Sequence, residues 1–293
     1  MQVTIRHYIG KPAMITATSN HQLVDIAWNT FPGGERHVQL PESGGELSTA
    51  DITMYFQSSD DLIDLLLLIN ALHHRYSDIT ISLTIPYLPY ARQDRVCAKG
   101  QAFSLEVIAQ LIKSTKPCRV TTWDCHSAIG VHLLGAENIT PEKIIACSTG
   151  LVEQLQAKDS VLICPDKGAI ERCKKIQTAF SIKDMVLCEK SRNPRTGKIT
   201  ETHVNRDDLT GKTCVITDDI CDGGYTFIKL AQQLKKLHAK KVVLYVTHGI
   251  FSKGLNVFDG LIEEIYTSNS LQQTVSYPGL TEICYENPQQ GDK

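Results

Sequence analysis

The sequence lacks the features that would direct a protein into a membrane or a secretory pathway. Its longest uninterrupted apolar run, Leu65 to Ile69, is far shorter than the roughly 20 residues that a membrane helix needs. The first residues, Met1 to Arg6, contain no apolar segment of the kind that a signal peptide requires. We therefore expect a soluble, cytoplasmic protein with no membrane partner.

An excess of basic residues and a clustering of cysteine are also lacking. The chain of 293 residues has a formal net charge of −2, whereas nucleic-acid-binding domains usually show a clear basic surplus. Its 10 cysteines are scattered, without a Cys-x-x-Cys pair or a zinc-type Cys/His spacing. We expect reduced thiols, no structural zinc and no nucleic-acid partner.

Two common catalytic motifs are missing as well. No segment fits the phosphate-binding loop Gly-x4-Gly-Lys-Ser/Thr, and no segment fits the nucleophile elbow Gly-x-Ser-x-Gly. Any binding of ATP must therefore use loops of another design.

What is present is a repeated α/β pattern, in which strand-like apolar runs alternate with helical runs. Such units predict parallel sheets with functional loops at the carboxyl ends of their strands. We expect an α/β fold of two similar domains, residues 1–145 and 146–293, each a mainly parallel sheet flanked by helices. A β-hairpin is expected around Pro32 to Gly34. The predicted strands are 52–56, 79–85, 120–123, 160–164, 184–188, 213–217 and 241–247, and the predicted helices are 60–74, 105–112, 149–157, 168–179 and 226–237.

The segment from Val215 to Phe227 is the most informative part of the chain. A strand is predicted to end on Asp218 and Asp219, and Asp222 with two glycines then leads into a helix. The free N–H groups and the dipole of a helix N-terminus bind phosphate, while carboxylates accept hydrogen bonds from sugar hydroxyls. The segment therefore indicates a sugar-phosphate site, with an ordinary capped turn as the alternative.

Other predicted strands also end on polar loops. Arg92 and Arg95 follow the strand 79–85 and suit phosphate oxygens, since guanidinium groups bind them in a fork. His126 follows the strand 120–123, where it could contact a metal-bound nucleotide, and Asp166 is a candidate Mg²⁺ ligand. The alternatives are a solvated loop for the arginines and a core histidine for His126.

Lys190 and Arg192 begin a long polar stretch that runs to Thr200. We expect this stretch to be a mobile lid or a β-hairpin, whose cations could close over phosphates. A solvated charge cluster is the alternative.

Taken in chain order, these loops resemble those of the ribose-phosphate diphosphokinases, also called phosphoribosyl pyrophosphate synthetases. The matching segments are Phe31–Glu35, Pro86–Arg95, Asp124–His126, Pro165–Gly168 with Arg172, Lys190 with Arg192, Asp218–Thr226 and Thr247–Ser252. The resemblance implies two phosphoribosyltransferase-type domains. It also implies Mg²⁺-dependent transfer of the β,γ-diphosphoryl group of ATP to the anomeric hydroxyl of ribose 5-phosphate, with release of AMP.

On the side of ATP, the resemblance implies that Phe31 and Glu35 bind adenine across a subunit interface. The chain is therefore expected to form a homo-oligomer, at least a dimer. Arg92, Gln93 and Arg95 are expected to hold ATP.

On the metal and catalytic side, His126 and Asp166 are expected to serve the Mg²⁺ sites. Lys190 and Arg192 are expected to stabilise the transferring group from a catalytic loop. The expected acceptor-binding residues are Asp218, Asp219, Asp222, Gly223, Gly224, Tyr225 and Thr226.

The acceptor turn departs from the family pattern, which usually reads Asp-Thr-Gly-Gly-Thr or Asp-Thr-Ala-Gly-Thr. Here Gly223 removes a hydroxyl, and the ring of Tyr225 stands where a small residue is usual. We hypothesise that the acceptor carries more than a 5-phosphate, with ADP-ribose as one candidate whose adenine stacks on Tyr225. The alternative is neutral drift in a loop that still binds ribose 5-phosphate.

Other departures are Gly33, Ser191 and the loop Val96–Gln101, which lacks the arginines and serine of phosphate-activated members. Weak or absent control by phosphate and ADP is expected. Two other function classes stay open, a catalytically silent regulatory subunit and a phosphoribosyltransferase.

Overall fold

The computed structural model describes residues 2–4, 15–19, 22–23, 26–40, 47–192, 199–271, 273 and 276–286. The chain forms two compact units, which divide between Ile139 and Thr140. The predicted domain boundary lies after residue 145, a few residues beyond this division. Among the described helices, none combines the length and the apolar character needed to cross a bilayer.

The first unit contains one mixed sheet and a separate hairpin. Its strands are β1 (Gln2–Thr4), β2 (Ile15–Ser19), β3 (Gln22–Leu23), β4 (Ala27–Thr30), β5 (Arg36–Gln39), β6 (Thr49–Met54), β7 (Thr80–Ile85), β8 (Arg119–Trp123) and β9 (Glu137–Ile139). Its helices are α1 (Ser59–Arg75), α2 (Ser104–Ser114) and α3 (Ala128–Leu134). The sheet order is β1-β2-β6-β7-β8-β9 with β3 beside β2, and the strands from β6 to β9 are parallel.

The first core forms because α1 presents one apolar face to this sheet. Leu65, Leu68, Ile69 and Leu72 recur at helical spacing and are almost fully buried. They belong to one cluster with the inward side chains of β6 and β7. This packing fixes the carboxyl ends of β7 and β8, from which the polar loops leave.

The second unit is built on a sheet of seven strands. Its elements are α4 (Pro141–Ile145), α5 (Thr149–Gln156), β10 (Ser160–Cys164), α6 (Ile170–Ala179), β11 (Met185–Arg192), β12 (Ile199–Val204), β13 (Thr213–Cys221), α7 (Tyr225–Lys236), β14 (Lys241–Gly249), β15 (Glu264–Ser268) and β16 (Leu280–Ile283). The order is β12-β11-β10-β13-β14-β15-β16, and only the β11–β12 pair is antiparallel. The fold-class prediction of two α/β domains with mainly parallel sheets is confirmed.

The predicted end of β13 at residue 217 is wrong, because the strand continues through both acids to Cys221. Its neighbour β14 is equally long, and the parallel register pairs Asp218 with Val246 and Cys221 with Gly249. Aspartate is disfavoured in strands, so the strand-like sequence pattern ends before Asp218, although the pairing with β14 continues. The acids therefore lie on the sheet itself, a more rigid position than a loop.

The polar stretch after Lys190 begins as a β-hairpin. Strands β11 and β12 pair from Cys188 opposite Val204 to Arg192 opposite Ile199, with a register irregularity at Ser191 and Arg192. The hairpin interpretation therefore holds for the paired strands. Residues 193–198, on which the prediction of a mobile lid falls, lie outside the described residues.

Candidate active site

Two adjacent carboxylates near the end of β13 share one guanidinium group. Arg172 on α6 places Nη1 3.3 Å from Asp218 Oδ1 and Nη2 3.2 Å from Asp219 Oδ2. All three side chains are at most 16% exposed. Each carboxylate also accepts the next backbone N–H, from Asp219 at 3.0 Å and from Ile220 at 2.8 Å. The pair is thus held at defined positions before any ligand arrives.

The acid pair is electrostatically strained. Burial, followed by the negative charge of Asp219, raises the pKa of Asp218 well above its ordinary value, and the charge of Arg172 opposes this shift. The same surroundings raise the pKa of Cys221 to about 12, through burial and the charges of Asp222 and Asp218. A ligand that donates hydrogen bonds or carries positive charge, such as a sugar hydroxyl or a metal ion, would relieve this strain.

The glycine turn after β13 is attached to the loop after β14. The N–H of Ser252 donates to the Asp222 carbonyl at 3.1 Å, and its hydroxyl donates to Asp222 Oδ1 at 2.6 Å. Gly224 has φ +76°, and a Cβ there would lie 2.6 Å from the ring of Phe258. Only glycine fits this backbone position, which directs the chain into α7.

The start of α7 combines backbone donors with an exposed ring. Its N-cap is Gly224, which has no side chain to cap the free N–H groups, so they remain available to an anion. Tyr225 is 55% exposed, and Lys229 Nζ lies 5.7 Å from the centre of its ring. Thr226 is half-buried in the first turn. This arrangement suits a phosphate that carries a planar group.

Asp166 lies where β10 ends, as expected. Its Oδ1 accepts the N–H groups of Gly168 at 2.8 Å and Ala169 at 3.2 Å, so it caps the 3₁₀ turn Lys167–Ala169. A role in metal binding would therefore be shared with this capping role. Lys190 and Arg192 are on β11, and their side chains lie outside the described part of the structure.

In the first unit, two polar loops are connected by Asp94. Its carboxylate accepts hydrogen bonds from Arg95 Nε at 2.8 Å and from the hydroxyl of Ser127 at 2.8 Å. The hydrogen bond from Arg95 is the main cause that lowers the pKa of Asp94, and the charge of His126 contributes. The loops after β7 and β8 thus form one polar surface.

The predicted ATP-binding residues Arg92, Gln93, Arg95 and His126 are all exposed on these two loops. Tyr90, at φ +62°, turns the first loop, and the N–H of Gln93 donates to its carbonyl at 2.8 Å. Arg92 and Arg95 could therefore bind an anionic ligand without rearrangement of the hydrophobic core.

Phe31 and Glu35 lie at the turn between β4 and β5. The Phe31 N–H donates to the Glu35 carbonyl at 2.9 Å. Phe31 is 47% exposed, and the centre of its ring lies 5.7 Å from that of His37. A large exposed ring on a short hairpin is available to a ligand or to another subunit.

The described side chains would suit a metal ion that is bound together with phosphate oxygens. Within the described ranges, no group of three or more His, Cys, Asp or Glu side chains forms a metal cage. Magnesium commonly binds through one or two carboxylates together with phosphate oxygens and water, so such a cage is not required.

The structure brings together Asp218, Asp219 and the turn from Asp222 to Thr226 in one unit. In the other unit it brings together the loops of Arg92 to Arg95 and His126. Sequence reasoning did not assign the bridging role of Arg172 or the contacts of Asp94 and Ser252. No sequence signal pairs Arg172 with Asp218, which is 46 positions away.

Comparisons with known proteins first identify the fold class. The phosphoribosyl transferase domain family matches residues 135–277, and the N-terminal domain of ribose phosphate pyrophosphokinase matches residues 12–115. The fold is also similar to that of a phosphoribosylpyrophosphate synthetase from Mycobacterium smegmatis, with a TM-score of 0.77, 23% identity and coverage of 90% of this chain and 87% of the other.

Curated relatives then give the family. A ribose-phosphate pyrophosphokinase from Pyrococcus furiosus is 30% identical over 260 residues, covering 87% of this chain and 88% of the relative. One from Mycoplasma pneumoniae is 31% identical over 264 residues, covering 85% and 77%. The chain belongs to the ribose-phosphate pyrophosphokinase family, and the predicted resemblance is confirmed.

Proposed function

We propose that this protein transfers the β,γ-diphosphoryl group of ATP to the anomeric hydroxyl of a ribose 5-phosphate-type acceptor, releasing AMP. The observation that carries the proposal is the Asp218–Asp219 pair, held by Arg172 beside a glycine turn and a helix N-terminus. Carboxylates suit the ribose hydroxyls, and the turn suits the 5-phosphate. Membership of the pyrophosphokinase family supports the reaction type.

In the proposed reaction the anomeric oxygen bonds to the β-phosphorus of ATP, while the bond from that phosphorus to the α,β-bridging oxygen breaks. The bridging oxygen leaves with AMP, and the hydroxyl proton passes to solvent. Arg92, Gln93 and Arg95 would hold ATP, while Lys190 and Arg192 would neutralise charge on the transferring group. No covalent enzyme intermediate is needed.

His126 and Asp166 are the residues that would hold Mg²⁺. The chemistry that the ion supplies when bound is neutralisation of charge on the phosphate oxygens. Phe31 and Glu35 would bind adenine across a subunit interface in a homo-oligomer. Dilution to the monomer should then abolish activity.

A second acceptor is favoured by one observation, the exposure of Tyr225. Tyr225 is 55% exposed beside the turn, and its ring lies next to the cation of Lys229. An acceptor with a substituted 5-phosphate, such as ADP-ribose, could stack its base on this ring. The product would be the corresponding 1-diphosphate.

The decisive assay incubates the protein with Mg-ATP and either ribose 5-phosphate or ADP-ribose, and measures AMP. AMP release that depends on an acceptor supports the proposed enzymatic activity. The ratio of the kcat/KM values for the two acceptors identifies the preferred acceptor. Asp219→Asn should abolish release, whereas Asp207→Asn, on an exposed loop, should not. No AMP with any acceptor would favour the silent subunit, and consumption of a phosphoribosyl diphosphate with a base would favour a phosphoribosyltransferase.

A further inference from the structure

The loop that follows β14 is bound along its length to the turn that follows β13. The N–H groups of Ile250 and Phe251 donate to the carbonyl of Cys221 at 2.9 and 3.1 Å. Ser252 then bonds Asp222 twice, through its own N–H at 3.1 Å and its hydroxyl at 2.6 Å. The position of the next residue, Lys253, is therefore determined by the acceptor turn.

The stem of Lys253 occupies the space beside Gly223. A Cβ built at Gly223 would lie 3.4 Å from Lys253 Cγ and 3.8 Å from the hydroxyl of Ser252. The next residue, Gly224, admits no side chain, because a Cβ there would overlap the ring of Phe258. Two successive turn residues thus lack side chains, and the stem of Lys253 lies over the first of them.

Among the described residues, the acids around the turn outnumber the cations that pair with them, so a further cation would favour phosphate binding. Asp218, Asp219 and Asp222 stand next to the turn, and their negative charge opposes the binding of a phosphate. The guanidinium of Arg172 is already engaged by two of these acids. Lys253 is exposed and forms no ion pair with any side chain in the described part of the chain, so its ammonium can reach a ligand.

We propose that Lys253 is a specificity-determining residue, whose ammonium binds the phosphate of the acceptor in place of the side chain that Gly223 lacks. This inference rests on the proposed function, since it names a further residue of the same acceptor site. A lysine ammonium is a mobile point charge with three donors, so it accommodates a phosphate monoester or a diphosphate ester. A fixed hydroxyl in the turn would bind one geometry only.

The first test replaces the charge while keeping the stem, with Lys253→Gln. Loss of a charge-assisted hydrogen bond predicts a rise of about tenfold to a hundredfold in the KM for the acceptor. The kcat and the KM for ATP should change less than about threefold. The matched control is Lys236→Gln, at the far end of α7, which should leave all constants unchanged. An unchanged acceptor KM in Lys253→Gln would overturn the proposal.

The second test uses the contact between Lys253 and Gly223. Gly223→Thr adds a hydroxyl to the turn, and its Cβ would lie in van der Waals contact with the lysine stem, at 3.4 Å from Cγ. In the Lys253→Ala background, Gly223→Thr should recover at least about fivefold of the lost acceptor affinity, whereas alone it should not improve binding. Purely additive effects would show that the two positions do not serve the same phosphate.

A binding measurement separates this inference from the proposed function. Titration calorimetry with ribose 5-phosphate, without ATP, compares the wild type and Lys253→Gln. If no acceptor yields AMP but the wild type binds ribose 5-phosphate about tenfold more tightly than Lys253→Gln, the catalytic proposal fails and the role of Lys253 stands. If the two proteins bind ribose 5-phosphate equally and the wild type releases AMP, the role of Lys253 fails and the catalytic proposal stands.

Discussion

Arg172 offers the sharpest test of the site, because it is the one described cation that bridges Asp218 and Asp219. Replacement by methionine keeps most of the stem and removes the charge. Two adjacent carboxylates, with side chains 16% and 9% exposed, then lose their shared partner. We expect a large loss of stability in the second unit, and a loss that depends on pH.

The magnitude follows from the two contacts of 3.3 and 3.2 Å. At an effective dielectric constant of about 20, unit charges about 4 Å apart attract by about 4 kcal/mol for each pair. Desolvation of the guanidinium offsets part of this energy, and loss of one partner from a buried pair costs about 3–5 kcal/mol. Because the group is not fully enclosed, we expect a decrease of about 3 kcal/mol in the free energy of unfolding at pH 8.

The pH dependence follows from the raised pKa of Asp218. A folded-state pKa above the unfolded value means that the native state binds the proton more tightly. The free energy of unfolding therefore falls as pH rises from about 4 through the folded pKa. Without Arg172 the pKa of Asp218 rises further, so the loss caused by Arg172→Met should be clearly smaller at pH 5 than at pH 8.

The assay is urea unfolding followed by circular dichroism at 222 nm at both pH values. Tryptophan fluorescence serves as an internal reference, since Trp28 and Trp123 both lie in the first unit. The control is Arg206→Met, whose guanidinium pairs with Asp184 at 2.6 and 2.8 Å but is 32% exposed. It should cost about 1 kcal/mol at both pH values. A loss below 1 kcal/mol for Arg172→Met, or a loss equal at pH 5 and pH 8, would refute the reasoning.

Three further predictions concern the same unit and the thiols. Asp218→Asn should raise the free energy of unfolding at pH 8, because it removes the buried charge that raises the pKa of Asp218, and the gain should vanish below about pH 4; destabilisation at pH 8 in urea melts would contradict this. Gly224→Ala should cost about 3 kcal/mol, from its φ of +76° and its overlap with Phe258. Gly211→Ala, at φ +74° with nothing within 4 Å, should cost only about 1–2 kcal/mol in the same thermal melts. Ellman's reagent should react rapidly with only the exposed thiols of the native protein and with all ten after denaturation, whereas rapid reaction of a buried thiol would be unexpected. The exposed thiols are Cys97, Cys118, Cys147 and Cys284.

The regular part of the fold was predictable because apolar runs mark buried parallel strands. The predicted strand 160–164 matches β10 at both ends, and all its residues are buried. The short helices α3 and α4 were missed, since they have only 7 and 5 residues and show no helical period. The last strands, β15 and β16, were also missed, although their pairing extends the sheet beyond β14.

The candidate site was predictable in composition but not in its contacts. The acids and glycines from Asp218 to Gly224 stand together in sequence, so their chemistry could be read directly. The bridge from Arg172 and the contact of Lys253 with Gly223 join different strand–helix units, and nothing local in the sequence specifies them. Such contacts depend on the parallel order of β10, β13 and β14, which only the folded sheet defines.

The position of the acids in β13 would let one short segment bind two unlike groups, as the proposed function requires. Asp218 and Asp219 are held by strand pairing, by backbone N–H groups and by Arg172, so their repulsion cannot relax by movement. Three residues later the chain leaves the sheet, and the glycines expose backbone N–H groups at α7. In the proposed site, a rigid negative region for hydroxyls would adjoin backbone donors for phosphate, at a spacing set by the sheet. A sugar phosphate would then satisfy both regions at once, whereas a free sugar or a free phosphate would satisfy only one.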